Sequence, residues 1–269
     1  MAMRLDDRAV IALSGPEARG LLQGLITNDI ERLAPGIGLY AALLTPQGKI
    51  LFDFLVTEGD AAVLIDVARD SRNALLKRLK MYRLRAKVEI EARDQLGVYA
   101  GLDDWPASLG VSFADPRHAA LPRRTLGAIA EMPADAGSAA EYLAGRLALG
   151  IPEGADFGSD KMFALDAGLG ELHGVSFEKG CYVGQELTAR MKHRGTARKR
   201  LLLVDGRGAL PLIGTPVMAG AREIGEIAAT YGTRGFALVR LDRLEEAGDA
   251  AIDAGGVTIG VVKPSWLLA

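Results

Sequence analysis

The sequence predicts an α+β front followed by a small all-β tail, and three observations carry that reading. Over residues 1–100 helical apolar spacing alternates with short apolar runs. After Gly195 the helical spacing stops, and short strand candidates follow one another between glycine-rich turns. At 269 residues, 49% of them hydrophobic, the chain is long enough for more than one core.

Taken in order, Arg8–Leu13 (RAVIAL) reads as a strand entering a turn at Ser14-Gly15-Pro16. Glu17 to Leu25 suits a short helix, because Leu21 and Leu25 share a face. Leu39–Leu44, Ile50–Val56 and Ala61–Val67 are strands; Thr45-Pro46-Gln47-Gly48 breaks the first pair as a hairpin would, and Glu58-Gly59-Asp60 breaks the second. Arg72 to Tyr82 is an amphipathic helix with Leu75, Leu79 and Tyr82 on one stripe. Val88–Ala92 and Gly97–Ala100 return to strand. Such an order fits helices covering one face of an antiparallel or mixed sheet.

Prolines 106, 116 and 122 leave residues 101–133 without a clear element. Ala139 to Leu149 predicts a helix, stopped at Gly150 with Pro152 beyond. Gln185 to Arg194 predicts another, with Leu187 and Met191 on its apolar face and Glu186 paired to Arg190. Five strands are expected afterwards: Arg200–Val204, Thr215–Met218, Ile224–Ala229, Phe236–Arg240 and Val257–Val261. Their spacing suggests a barrel. The expected division is 1–100 and 101–195 for two parts of the α+β front, and 196–269 for the β-barrel.

Composition narrows the function. One cysteine excludes an intrachain disulfide framework, and also an iron–sulfur cluster held wholly by this chain's thiols. No metal site is expected. The start, MAMRLDDRAVIAL, lacks a signal peptide's apolar segment, and no run reaches membrane-spanning length. A cytoplasmic, monomeric chain with no membrane partner is the expectation. Basic residues cluster at Arg69–Lys87 and again at Arg190–Arg200. The first suits either an anionic ligand or a solvated helix face; without zinc-finger spacing or aromatic-rich basic stretches, nucleic acid is not an expected partner.

Cys181 sits in SFEKGCYVGQE, residues 176–186. A turn at Gly180 would bring the Lys179 ammonium toward the sulfur, and a cation lowers a thiol's pKa. A reactive or substrate-contacting thiol and a small buried residue in a glycine turn both satisfy the pattern. No base is near in sequence; a Cys–His pair needs His118, His173 or His193 brought in by folding. Asp53, between Phe52 and Phe54, would point to the face opposite both rings, either into a ligand pocket or onto a wet sheet face. No Walker or GxGxxG phosphate loop occurs.

The stretch KGCYVGQE, Lys179 to Glu186, resembles the signature of the YgfZ-type tetrahydrofolate-binding proteins, iron–sulfur assembly factors related to the glycine-cleavage T-protein. LTARMKHRG and RKR extend the match to Arg200, and GVSFE, LQGLITNDI (residues 22–30) and ADPR (residues 114–117) add to it. The resemblance implies a T-protein-like aminomethyltransferase fold: α+β domains and a C-terminal barrel around a central folate pocket. It implies tetrahydrofolate as cofactor, a role in assembly or repair of [4Fe–4S] proteins, and transient contact with assembly proteins or client enzymes. Cys181 would carry the activity with Lys179 as its electrostatic partner. Gly180 and Gly184 would permit the turn, with Tyr182, Gln185 and Glu186 completing the motif, while Asp53, Arg190 and Arg194 would contact folate.

Two departures weigh against the alternative, a folate-dependent aminomethyl or one-carbon transferase. T-proteins resemble GGxxDDLIV where this chain has GKILFDFLV, so Phe52 replaces the first acid and Asp53 keeps the second. Their glutamate-bearing GYTGEDGFE-like stretch has no counterpart in residues 123–150. A third reading is a binding module whose cysteine is merely packed.

Overall fold

Alternating apolar runs, hairpin breakers and two amphipathic helices assemble into three sheets. The computed structural model describes residues 2–102, 105–131, 137–195 and 198–267. In chain order the front strands are β1 (Met3–Arg4), β2 (Arg8–Ser14), β3 (Gly38–Leu44), β4 (Ile50–Gly59), β5 (Ala62–Ala68), β6 (Glu89–Ala92), β7 (Leu96–Ala100), β8 (Gly110–Phe113) and β9 (Arg124–Ala128). They form an antiparallel five-stranded sheet, β3-β4-β5-β2-β6, and a four-stranded sheet, β1-β7-β9-β8. The second sheet pairs Val98 with Leu126, so residue 100 is not a sheet boundary.

The five-stranded sheet is covered on both faces, and its strands therefore read as nearly continuous apolar runs. Ile11, Leu13, Ala41, Leu43, Phe54 and Val56 face helices α1 (Ala18–Gln23) and α2 (Arg69–Arg83), with Leu22, Leu75 and Leu79 closing that core. Val10, Ala12, Tyr40, Ala42 and Leu55 face the other way, toward Phe113, Leu126, Leu147 and Phe157. Helix α3 (Ala139–Ala148) and the turn-rich residues 151–184 fill this second layer.

Helix α4 (Gln185–Arg194) coincides with its predicted span because glycines bound it: Gly184 and Gly195 both take left-handed backbone, at φ 81° and 58°. Six strands then close a barrel: β10 (Lys199–Gly206), β11 (Pro216–Ala219), β12 (Arg222–Tyr231), β13 (Arg234–Arg240), β14 (Ile252–Ala254) and β15 (Val257–Val262). Helix α5 (Leu241–Ala247) links β13 to β14. The barrel core is apolar, built from Leu202, Val204, Ile224, Ile227, Val239 and Ile259. Among the described residues no helix is long and apolar enough to cross a membrane.

Candidate functional site

Two structures converge on the second layer: a loop that carries Cys181, and a cavity bordered by buried charge. The loop is built from residues 22–30 and 174–181. Thr27 donates its hydroxyl to Gly174 O (2.6 Å), Asn28 donates to His173 O (2.8 Å) and to Tyr40 O (2.7 Å), and Ser176 N donates to Thr27 O. LQGLITNDI and GVSFEKGC are therefore one hydrogen-bonded unit.

Lys179 is the pin of that unit. Its side chain is buried, and its ammonium donates to Gln23 O (2.7 Å), Ile26 O (2.9 Å) and Asn28 O (2.8 Å). The Tyr182 ring lies 5.2 Å from the same nitrogen. Three carbonyls, one at the end of α1 and two in the segment after it, thus absorb all three donors of a lysine that sequence alone places near the thiol. Burial pushes its pKa down to about 8, with Asp29 opposing. Cys181 is free and exposed.

The two glycines of the motif differ. Gly184 has φ 81°, and a Cβ there would meet Thr45 O at 2.4 Å and Leu44 Cβ at 2.9 Å, against the β3–β4 hairpin. Gly180 has open space for a Cβ and no positive φ, so the turn does not require it. Glu186 and Arg190 form an exposed i,i+4 pair at 3.2 Å, and Gln185 N donates to Tyr182 O. The Arg194 side chain lies outside the described residues.

The cavity, about 480 Å³, opens between β4, the start of α2 and residues 153–159. Asp53 borders it and is only 4% exposed, not on a wet face. Tyr40 OH donates to its Oδ2 (3.2 Å) and Gly154 N to its Oδ1 (2.9 Å). Burial raises the Asp53 pKa; Arg8 and Arg117 pull the other way and Glu153 adds to the rise. Arg190 does not border this cavity.

Beneath the cavity lies a network of buried ions that the sequence does not reveal. Arg8 holds Asp66 at 2.7 Å, Arg117 holds Asp115 at 2.7 Å and also Glu153, and Arg146 holds Asp156 at 2.6 Å. Tyr142 OH accepts from Arg117 and Arg124, and Tyr231 OH donates to Asp156. Burial alone would raise Glu153, but Arg117, Arg146, Arg8 and Arg124 outweigh it and hold it well below the usual carboxylate range. The signal for this cluster was slight: Asp115 and Arg117 stand in the ADPR motif, and Arg124 sits in a strand among apolar residues.

Residues 198–268 match the model of the CAF17 C-terminal β-barrel domain. The mouse mitochondrial iron–sulfur cluster assembly factor IBA57 is 33% identical, with 98% of this chain and 84% of the relative aligned. The human protein of that name is 30% identical over the same shares. A solved glycine-cleavage aminomethyltransferase T from Bartonella henselae superposes with a TM-score of 0.78 over 99% of this chain and 85% of its own, at 14% identity. The fold is therefore that of the aminomethyltransferases, ending in a closed six-stranded barrel.

The mouse, human and fungal relatives are named as mitochondrial, which overturns the cytoplasmic expectation. That expectation rested on a missing apolar leader, and mitochondrial transit peptides are amphipathic and Arg-rich instead. The relatives' names carry the assembly-factor part of the resemblance and are silent on the narrower YgfZ type and on folate. With a pinned thiol loop, a T-protein fold and 33% identity along nearly its whole length, the chain belongs to the IBA57 family of iron–sulfur cluster assembly factors.

Proposed function

We propose that this chain assists assembly or maintenance of iron–sulfur clusters, [4Fe–4S] clusters in particular, as a folate-binding protein of the YgfZ type. The observation that carries the assembly role is the likeness over 98% of the chain to proteins named for it. The cluster is cargo. One cysteine cannot hold it alone, so a partner's ligands complete any cluster that Cys181 touches. Exposure of Cys181 on a pinned loop supports that contact.

The cavity suits a folate on three grounds. Its volume of about 480 Å³ is in the range of small-ligand pockets. Ile50 and Phe157 offer apolar surface to a flat ring, and Asp53 would accept from its N–H groups. Arg69 and Arg146 would meet the glutamate carboxylates, and among the described residues Arg146 Nε is buried without a hydrogen-bond partner. When bound, the folate supplies one-carbon carrier chemistry; the residues named here bind and orient it.

Calorimetry with tetrahydrofolate should give saturable binding that weakens with salt and weakens further in Asp53→Leu. Rescue of [4Fe–4S] enzyme activity in a deletion strain tests the assembly role. Failure of rescue, or turnover of aminomethylated carrier protein, would favour the one-carbon transferase instead.

A further inference from the structure

A groove of about 530 Å³ lies on the outer face of the front, where the end of α2 passes α1. Leu21, Tyr82, Leu84 and Ala86 give it apolar surface, and Arg83 and Arg85 give it charge. Lys87, whose amide meets Glu17 of the wall, is exposed beside it, and Lys80 is exposed on α2 about one turn before Arg83. Residues 69–87 hold eight Lys and Arg and one acid in a chain of net charge −2, so the field is concentrated here. Among the described residues Lys80, Arg85 and Lys87 have no ion-pair partner; Glu17, the carboxylate in the wall, accepts from the Lys87 amide. Leu84 is 83% exposed and Met81 60% exposed.

Leu84 also takes φ 48° and ψ −108°, a backbone state that L side chains rarely adopt. Strain that presents a leucine to water does nothing for the core. We infer that this groove docks an acidic segment of a partner protein, its carboxylates on the basic rim and its apolar side chains against Leu84 and Tyr82. Carboxylates answer cations that this chain leaves unpaired, and a wall shared with α1, whose end holds the Cys181 loop, suits a protein partner rather than a lipid surface. The docked segment would lie near Cys181. The groove wall includes Gly20 and Leu21 of α1, and carbonyls at the end of that six-residue helix hold Lys179 and Val183. The inference goes beyond the proposed function and stands without the folate site.

The test is fluorescence anisotropy with a labelled peptide of alternating acidic residues and leucines, beside its Leu→Ser counterpart. Phosphatidylcholine–phosphatidylserine vesicles and a single-stranded DNA oligonucleotide serve as competing probes. The acidic leucine peptide should bind saturably, and the serine peptide several-fold more weakly. Lys80→Glu/Arg85→Glu should lose about tenfold in affinity, Leu84→Ser several-fold, and the distant Arg207→Glu/Lys263→Glu nothing. Equal loss in both charge-reversal pairs, full binding by Leu84→Ser, or capture of vesicles or DNA without the peptide overturns the inference. Melting curves confirm folding, and Lys80→Gln/Arg85→Gln carries the same test if the reversal misfolds.

Discussion

The C-terminal barrel and the α+β front use charge in opposite ways. In the barrel the ion pairs Arg222–Glu246, Arg234–Asp205 and Arg240–Asp242 all lie at the surface around an apolar core. In the front, Arg8, Asp66, Asp115, Arg117, Arg124 and Asp156 are at most 5% exposed. Buried ions are expensive to desolvate, and apolar residues of like volume often serve stability as well or better. A fold that needed only a core would resemble the barrel. The difference teaches that the front's interior is shaped for a polar task, and that the cavity above it and the pinned loop beside it are where to look.

The largest effect should come from unpairing that interior. Arg117→Leu strands Asp115 and Glu153 without their main cation and should cost about 3–5 kcal/mol in urea unfolding. Arg234→Ala on the barrel, whose pair is nearly half exposed, should cost less than about 1 kcal/mol. Similar losses at the two sites would erase the contrast.

Acid should sharpen it. Glu153 and Asp115 both titrate below their ordinary values in the folded state. Their contribution is fully present above the unfolded carboxylate pKa, about 4–4.5, and is lost as pH falls through the lower folded values. The urea midpoint should drop between about pH 5 and pH 3. Glu153→Gln should start lower and fall less steeply; an unchanged slope would remove Glu153 from the account.

A smaller effect separates the two motif glycines. Gly184→Ala must relieve a contact with Thr45 O in a left-handed backbone, costing about 1–3 kcal/mol. Gly180→Ala has open space and should melt like the wild type. Equal melting temperatures would mean that the hairpin contact does not hold the loop.

Much of this fold was legible, and the failures are instructive. Helix α4 and the main barrel strands stand out because periodicity and flanking glycines agree there. β8 and β9 did not, since prolines crowd that region and Arg124 and Thr125 look like surface residues while being fully buried. Asp53's direction followed from strand alternation, but its burial depends on residues 153–159, about a hundred positions away. Lys179 is the clearest case. The thiol is two positions away in sequence, whereas the lysine's partners in space are carbonyls more than 150 residues earlier. Local spacing carries no information on such a contact.

The most direct test concerns Cys181 itself. Because the thiol is exposed, Cys181→Ser and Cys181→Ala should each change stability by less than about 0.5 kcal/mol. In a deletion strain whose [4Fe–4S] enzyme activities depend on this chain, both variants should fail to restore those activities although both accumulate as folded protein. Full rescue by either variant would contradict the claim that the pinned loop exists to present a thiol.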